Sequence, residues 1–334
     1  MNRRDAFLAF SRFLEEEDIR YVVVGNTDSY PDEIGSDVDI VVHPGDFRKL
    51  RERIPTVSRI GLRPVQVFRH EIVAYYYVLS FESEDGRPGF LMPDICSDYC
   101  RHGIRLIPAE TMLEGSTEAK EENGSGKGFR IPRPEAEFLY YLEKKVGKGA
   151  LSDAQYRHLC SCWLAGGGNS GTLLNSVLSQ EAVRRVDASI RTGNPSALIS
   201  LFPILRREFR QHGSRTLGMR FLELFRRINR VLHPTGLVVS IPDTCPDLDA
   251  FWKELVGFVS PAFRSSARIY GENPGFWELF KMRCSSTIVG CPKSLAASFP
   301  LSLLVDFEPT APFSVEQTAT ALLDLLAGRF SNRF

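Results

Sequence analysis

The sequence lacks any apolar run long enough to cross a bilayer, although 43% of its 334 residues are hydrophobic. A spanning helix needs about 20 consecutive apolar residues, so we expect no transmembrane segment. Net charge is absent too, because 41 basic residues balance 41 acidic ones. The overall charge therefore favours no polyanionic partner. These absences predict an ordinary globular protein of two or three domains.

The seven cysteines lack the spacing of a zinc site. Two close pairs are present, Cys96 with Cys100 and Cys160 with Cys162. No further pair or nearby histidine completes either set of ligands, so we interpret the cysteines as reduced thiols. The acidic run Glu15–Asp18 favours a helix over residues 4–18 rather than a signal peptide. Together these features predict a cytoplasmic protein.

A phosphate-binding loop of the kinase type is missing from the first half of the chain. The NGSGKG segment has no glycine five residues before Gly126, and Gly128 rather than Ser or Thr follows Lys127. Residues 114–130 are rich in glycine, serine and charge. They predict a flexible loop or a hairpin tip instead.

What the sequence does contain is a pair of carboxylates beside a glycine turn, in Tyr21–Pro44. An apolar run ends at Gly25, a polar loop follows, and a second apolar run carries Asp37 and Asp39. Residues two apart on a strand point to the same face. Two carboxylates placed together repel each other unless a cation neutralises them. Such oxygen-rich sites suit Mg²⁺ that also holds substrate phosphates.

This stretch resembles the nucleotidyltransferase superfamily of polymerase-β-like enzymes. Their motif is an apolar residue, Gly, then Gly or Ser, a spacer of about ten residues and Asp-x-Asp or Asp-x-Glu. Gly25 fits the first glycine and Asn26 replaces the usual Gly or Ser, while Thr27 and Ser29 offer hydroxyls. The resemblance implies Mg²⁺-dependent transfer from a nucleoside triphosphate to a hydroxyl acceptor, with Mn²⁺ as the alternative ion. It implies four nucleotide-binding residues in this stretch: Gly25, Asn26, Thr27 and Ser36.

The same resemblance implies a third carboxylate from a neighbouring strand, which completes the metal site and draws the proton from the acceptor. Asp94 is the first candidate and Asp98 the second, because Asp94 lies in a strand-like run, Phe90–Tyr99. An aspartate there is costly to bury unless it is paired or liganded. The alternative is a solvent-facing aspartate at a strand edge, next to Pro93. Catalytic and metal-binding roles are therefore assigned to Asp37, Asp39 and Asp94.

Two further strands are predicted before that run, at Val65–His70 and Ile72–Ser83. The charged turn EDGRPG after the second strand predicts a hairpin with Phe90–Tyr99. A short helix is predicted at Asp46–Arg53, after the Pro44-Gly45 break.

A helix is predicted from Pro134, with acidic residues in its first turn and lysines in its last. The helix dipole explains this charge order without any function. Alternatively, the lysines reach triphosphate oxygens, and we assign Lys145 and Lys148 to the nucleotide on that interpretation. Ser152 is predicted to cap the next helix, Asp153–Trp163.

Residues 184–230 are unusually rich in arginine. A solvated basic face explains this composition, and contact with nucleic acid, anionic lipid or a polyanionic substrate is the alternative. Helical spacing of apolar residues predicts that one helix packs on another element. Those residues are Phe221, Leu224, Phe225, Ile228, Val231 and Leu232. No aromatics interleave on the basic face, so nucleic acid is not an expected partner.

The last third of the chain has the strand–loop–helix order of a phosphate-binding kinase. A strand is predicted at Gly236–Ile241 and a helix at Leu248–Val259. The stretch IPDTCPDLD, from the end of the strand to the start of the helix, contains neither Lys nor Gly. It has three acidic residues that repel phosphate instead: Asp243, Asp247 and Asp249. A strand at Leu301–Phe307, and a helix from Ser314 with Gly328 at its end, complete a small α/β unit.

The whole chain resembles proteins of bacterial surface-polysaccharide clusters that join a nucleotidyltransferase-like domain to a thymidylate-kinase-like half. The resemblance rests on GSDVDIVV, FLMPDICSDYCRHG, FLYYLEKKVGKGALS and HPTGLVV. It implies an α+β domain with a mixed sheet and flanking helices at residues 1–130. An Arg-rich helical domain at residues 131–233 and a degenerate P-loop-kinase-like α/β domain at residues 234–334 would follow. It also implies a role in surface-polysaccharide biosynthesis.

Three alternatives stay open at this point. A glycosyltransferase also uses Asp-x-Asp, but it needs several strands before the motif, and one strand is predicted here. A non-catalytic scaffold is the second alternative, because the kinase-type loop is lost and Asn26 departs from the motif. A nucleic-acid modifier that uses the arginine-rich segment is the third. The nucleotide, the acceptor and the oligomeric state do not follow from the sequence.

Overall fold

The structure, a computed structural model, combines a mixed sheet, a group of helices and a small parallel sheet. The described residues are 1–101, 103–120, 126–214, 217–232, 234–269, 276–296, 306–309 and 314–331. Among these residues, no helix has both the length and the apolar character needed to cross a membrane.

The mixed sheet contains six strands of the N-terminal region. They are β1 (Tyr21–Val23), β2 (Val38–Val42), β3 (Arg63–Glu71), β4 (Ala74–Glu82), β5 (Pro88–Leu91) and β6 (Pro93–Cys96). The strand order is β1-β2-β6-β4-β3, with β5 paired to β4. β2 and β6 are parallel, and the other pairs are antiparallel. The prediction of a mixed sheet with flanking helices is therefore confirmed.

Alternation of side chains along the strands gives this sheet two buried faces. Helix α1 (Arg3–Glu16) packs on one face, where its phenylalanines, such as Phe7 and Phe10, lie with Tyr21 and Ile40 in one core. Val22 and Val41 point to the opposite face and pack with the helices of the middle region. Both faces of β1 and β2 are thus covered, which explains their nearly continuous apolar sequences.

The hairpin predicted at EDGRPG is present as β4 and β5. The single strand predicted at Phe90–Tyr99 is wrong, because that run is divided among β5, β6 and a third strand. Pro93 has no backbone N–H and stands at the first position of β6, where a proline is tolerated. The predicted helix at Asp46–Arg53 is α2 (Phe47–Arg53), between 3₁₀ turns at Pro44–Asp46 and Ile54–Ile60.

Two small hairpins and a short helix lead from the sheet to the helical region. They are β7 (Tyr99–Arg101) with β8 (Ile104–Ile107), α3 (Ala109–Leu113), and β9 (Thr117–Lys120) with β10 (Gly126–Ile131). The second hairpin falls in residues 114–130, where a flexible loop or a hairpin tip is predicted. The described part of that segment is a hairpin, and residues 121–125 lie outside the described residues.

Six helices follow. They are α4 (Pro134–Lys148), α5 (Asp153–Gly166), α6 (Gly168–Asn175), α7 (Gln180–Arg191), α8 (Pro195–His212) and α9 (Leu217–Leu232). The Ser152 side chain accepts a hydrogen bond from Gln155 N (3.4 Å), and the Gln155 side chain accepts one from Ser152 N (3.0 Å). This capping box confirms the predicted start of α5.

Helix α9 does not pack as its apolar spacing predicts. Phe221 is 71% exposed and Phe225 is 69% exposed. The side chain of Arg226, by contrast, is only 12% exposed and donates to the carbonyl of Arg69 (3.1 Å). Glu223 pairs with Arg226 and offsets the cost of burying its charge. Arg226 and Glu223 of α9 therefore face the protein, whereas Arg227 is 73% exposed.

Among the described residues, the C-terminal region forms a parallel sheet of three strands with flanking helices. Its elements are β11 (Leu237–Ile241), α10 (Leu248–Val259), β12 (Ser265–Arg268), α11 (Phe276–Cys284), β13 (Thr287–Pro292), α12 (Lys293–Ala296) and α13 (Val315–Ser331). The strand order is β11-β13-β12. Its core includes Val65 and Val78 of β3 and β4. The domain boundaries at residues 130 and 233 stay a prediction.

Three sequence predictions fall in this region. The strand and helix predicted at Gly236–Ile241 and Leu248–Val259 are present as β11 and α10. The predicted strand Leu301–Phe307 lies outside the described residues up to residue 305, and Phe307 forms a parallel bridge with Val239. The predicted end of the last helix at Gly328 is wrong, because α13 continues to Ser331.

Candidate active site

Three carboxylates meet where the parallel strands β2 and β6 begin. Asp39 of β2 is directly opposite Asp94 of β6 in the strand register. Asp37 stands two residues before Asp39 and one residue before the strand starts. Oxygen atoms of the three side chains all lie within 4.8 Å of one another. We call Asp37, Asp39 and Asp94 the carboxylate cluster.

The carboxylate cluster fits a divalent cation. Carboxylate oxygens are hard ligands of the kind that Mg²⁺ and Mn²⁺ prefer. The structure also shows that the cluster attracts positive charge, since the Lys144 ammonium is in contact with Asp39 Oδ2. Both side chains are largely buried, with 17% of Lys144 and 22% of Asp39 exposed. The ammonium thus stands in for part of the charge that a divalent ion would supply.

The protonation equilibria follow from this arrangement. Burial raises the pKa of Asp39, and Lys144 opposes the shift while Asp94 and Asp37 add to it. Burial by itself lowers the pKa of Lys144, but Asp39 and the two other carboxylates raise it more, and the net shift is upward. Lys144 is therefore a cation at neutral pH, and burial together with the neighbouring carboxylates disfavours the charged form of Asp39.

A cavity of about 270 Å³ opens over the carboxylate cluster. Its charged lining consists of four acidic residues (Asp37, Asp39, Glu71 and Asp94) and three basic residues (Arg101, Lys144 and Lys148). Its other lining residues include Cys96, Cys100, Tyr99 and Tyr140. Lys144 and Lys148 are one turn apart on α4 and so share a face of that helix. The cavity therefore has an acidic side on the sheet and a basic side on α4 and β7.

The Gly25 turn lies next to the carboxylate cluster, as the sequence predicts. A Cβ built on Gly25 would lie 3.6 Å from Asp39 Oδ2, and the residue has a φ of 95°, which favours glycine. Its N–H donates to both carboxylate oxygens of Glu137, at 2.9 and 3.2 Å. Glu137 belongs to α4, so the helix fixes the position of the turn.

The other residues assigned to the nucleotide lie along the same loop. The Asn26 side chain accepts from Asp28 N (3.3 Å), and the carbonyl of Thr27 accepts from Tyr30 N (3.0 Å). The Ser36 hydroxyl donates to Asp37 Oδ1 (2.8 Å). These contacts close the turn and orient one cluster carboxylate.

The two assigned lysines of α4 have different surroundings. Lys148 is exposed and lines the cavity. Lys145 is buried, and its ammonium lies 4.6 Å from the centre of the Tyr141 ring. Burial, with Lys148 and Lys144 nearby, lowers the pKa of Lys145 to about 8. The lysine that contacts the cluster is Lys144, which the sequence assignment leaves out.

Asp98, the second candidate for the third carboxylate, has a structural role. Its side chain accepts from Ala109 N (2.9 Å) near the start of α3 and lies 3.8 Å from Arg105. The carboxylate cluster contains Asp94 instead.

Sequence reasoning also misses Arg101 and the pair formed by Glu137 and His158. His158 Nε2 is 3.2 Å from Glu137 Oε1, and both side chains are buried. Burial lowers the pKa of His158, but Asp28, Cys162 and Glu137 raise it more, to about 12. A buried glutamate in the first turn of α4 also fits the helix dipole, so the sequence alone gives no signal for this pair.

Gly147 allows Arg101 to enter the cavity. Arg101 donates to the carbonyl of Gly147 (2.9 Å), and a Cβ at residue 147 would overlap its guanidinium. We expect Gly147→Ala to displace Arg101 and to weaken inorganic triphosphate binding several-fold, measured by calorimetry. Stability should not fall, because alanine is favoured over glycine in a helix by up to about 1 kcal/mol.

Gly328→Ala is the matched control for this substitution. Gly328 lies within α13, and a Cβ there has no neighbour within 4 Å. Its alanine variant should gain stability without any change in affinity. Equal triphosphate affinity in the wild type and Gly147→Ala would show that Arg101 does not contribute to binding.

Comparison with known proteins gives a weak likeness to solved structures. No family model matches the chain, and no curated protein matches it. The chain is similar to a crystal structure of an antigenic nucleotidyltransferase-like protein from Paracoccidioides brasiliensis, with 16% identity and a TM-score of 0.38. The match covers 59% of this chain and 92% of that chain. A TM-score this low does not establish a shared fold, so the function rests on the residues of the site.

Proposed function

We propose that this chain is a Mg²⁺-dependent nucleotidyltransferase with a polymerase-β-like fold in its N-terminal region. The observation that carries the proposal is the cavity itself, in which the carboxylate cluster faces Arg101, Lys144 and Lys148. A site with both signs of charge suits a divalent cation and a polyphosphate together. Mn²⁺ is the alternative ion.

The charge of the lining supports this pairing of ligands. Four acidic and three basic side chains give the lining a formal charge of −1, which disfavours an anionic ligand. A divalent cation changes that charge to +1. Polyphosphate binding should therefore depend strongly on the metal.

Each residue has a defined task in the proposed reaction. Asp37, Asp39 and Asp94 would hold Mg²⁺, which stabilises charge on the reacting oxygens when it is bound. Arg101 and Lys148 orient the phosphates through charge-assisted hydrogen bonds. Asp94 accepts the proton of the acceptor hydroxyl, whose oxygen forms a bond to the α-phosphorus. The bond between that phosphorus and the pyrophosphate oxygen breaks, and pyrophosphate leaves.

The C-terminal region has no part in this reaction. In its kinase-like loop, Asp247 accepts from Ala250 N (2.9 Å) at the start of α10. The side chain of Asp243 accepts from the backbone N–H and the hydroxyl of Ser294, both at 3.1 Å. The carboxylates of this loop thus accept hydrogen bonds from the protein itself. This supports the proposal that the C-terminal unit is degenerate and does not bind a nucleotide. The acceptor class and a role in polysaccharide assembly stay predictions from the resemblance.

A metal-dependent nucleotide-binding protein without catalysis is the second candidate function. The Gly25 N–H favours it, because this donor of the motif turn is bound to Glu137. Calorimetric titration with each nucleoside triphosphate, with and without Mg²⁺, tests both candidates when it is combined with a pyrophosphate-release assay. The proposal expects Mg²⁺-dependent binding with slow release of pyrophosphate to water or an added acceptor. Binding without release favours the second candidate, and no binding of any triphosphate contradicts both.

A further inference from the structure

We propose that Lys144 is an internal counter-ion of Asp39 that substrate phosphates displace, so that metal and polyphosphate bind with positive coupling. This inference rests on the proposed function and adds an order of events to it. Lys144 contacts Asp39 Oδ2, whereas Asp37 accepts from the hydroxyl of Ser36. The Lys144 ammonium therefore neutralises part of the charge of Asp39.

A divalent cation and the Lys144 ammonium compete for the same carboxylate. Two positive charges in contact with one largely buried carboxylate repel each other, and this repulsion is weakly screened away from bulk water. The protein without phosphate should therefore bind the metal poorly. When Lys144 leaves Asp39, the carboxylate becomes available to the metal.

Inside the cavity, the ammonium of Lys144 can pair with a bound phosphate once it leaves Asp39. Lys144 and Lys148 project from the same face of α4, and both line the cavity. A polyphosphate bound to Lys148 and Arg101 would bring anionic oxygens close to Lys144, which can then pair with phosphate instead of Asp39. Each ligand then makes the other bind more tightly, and linkage requires the factor to be the same in both directions.

Substitution of Lys144 by methionine should change the affinity for the metal and the affinity for the polyphosphate in opposite directions. Methionine keeps much of the aliphatic length and removes the charge. We expect Lys144→Met to bind Mn²⁺ about tenfold more tightly than the wild type in the absence of phosphate, measured by the paramagnetic resonance signal of free Mn²⁺. The same variant should bind a non-hydrolysable triphosphate analogue several-fold more weakly with saturating Mn²⁺. A lysine with only a structural role would not change the two affinities in opposite directions.

Lys49→Met is the matched control, because Lys49 is a surface lysine that pairs with Asp18 (3.6 Å), away from the cavity. It should leave both affinities within about twofold of the wild type. Equal Mn²⁺ affinity in the wild type and Lys144→Met would overturn the counter-ion inference and leave the proposed function standing. If neither protein binds Mn²⁺, even with the analogue present, the proposed function fails as well.

Discussion

Asp37→Asn is expected to reduce Mg²⁺-dependent nucleotidyl transfer by at least about a hundredfold while the fold is retained. The substitution keeps the size of the side chain and an acceptor for the Ser36 hydroxyl. It removes one anionic ligand from a cluster whose atoms lie within 4.8 Å of one another. Metal stabilisation of the reacting oxygens contributes several kcal/mol, and about 3 kcal/mol corresponds to a hundredfold in rate. Pyrophosphate release measured over a Mg²⁺ titration checks the prediction.

The expected effect on stability has the opposite sign. Like charges at close range destabilise the metal-free protein, so the loss of one carboxylate should leave its melting temperature unchanged or slightly raised. Asp39→Asn is expected to reduce transfer similarly, but it also removes the partner of Lys144. Asp37→Asn is therefore the cleaner test of metal binding.

Asp98→Asn provides the control for these variants. Asp98 is the sequence's second candidate for the third carboxylate, and it accepts from Ala109 N rather than joining the carboxylate cluster. Asparagine can accept the same hydrogen bond, so transfer should persist within about twofold. Unchanged triphosphate binding in the double variant, which carries both Asp37→Asn and Asp39→Asn, would contradict the proposed function.

Part of the carboxylate cluster could be predicted from the sequence, because the relative position of Asp37 and Asp39 depends on local geometry alone. The two-residue strand period places Asp37 and Asp39 on one face. Asp94 is identifiable as a charged residue inside an apolar run, which needs a partner. Its register against Asp39 comes from pairing between strands that are more than 50 positions apart, and no local pattern encodes that pairing.

The basic side of the cavity was harder to predict for a physical reason. Three lysines near the end of one helix all satisfy its dipole, and the sequence does not show which of them faces the sheet. The rotation of α4 is fixed by its buried apolar residues and by the contact of Glu137 with the Gly25 turn. That rotation directs Lys144 toward Asp39, whereas the contact of Lys145 with Tyr141 lies within α4 itself. Similarly, α9 is amphipathic by sequence, but the structure buries its Arg226–Glu223 pair and exposes apolar side chains such as Phe221 and Phe225.

The connection between the Gly25 turn and the helical region leads to the second large prediction. His158→Ala is expected to lower the free energy of unfolding by about 3–5 kcal/mol, as when one partner of a buried ion pair is removed. Glu137 would then be a buried carboxylate without the imidazolium that lies 3.2 Å away. Denaturant unfolding measures the loss. Faster hydrogen exchange at the Gly25 amide, which donates to Glu137, should report local loosening of the turn.

The contribution of His158 to the free energy of unfolding should decrease as the pH rises. The pKa of His158 is raised to about 12 in the folded protein, whereas an unfolded histidine has a pKa of about 6.5. The folded state therefore keeps a proton that the unfolded state releases, and the contribution of His158 is complete below about pH 6.5. It is lost as the pH rises toward the folded pKa. Because burial also raises the pKa of Glu137, the reference must lack both titrating groups: the stability of the wild type relative to the double variant Glu137→Gln with His158→Ala should decrease from pH 6.5 to pH 9.

Two further variants show whether the stability loss in His158→Ala comes from breaking the buried pair or from the loss of any imidazole. His212→Ala removes an exposed histidine at the end of α8 and should change stability by less than about 0.5 kcal/mol. The double variant Glu137→Gln with His158→Ala removes the stranded charge and keeps an acceptor for the Gly25 amide, so it should recover most of the lost stability. If the double variant is as unstable as His158→Ala alone, the loss comes from packing, and the turn beside the carboxylate cluster is not held by this charge pair.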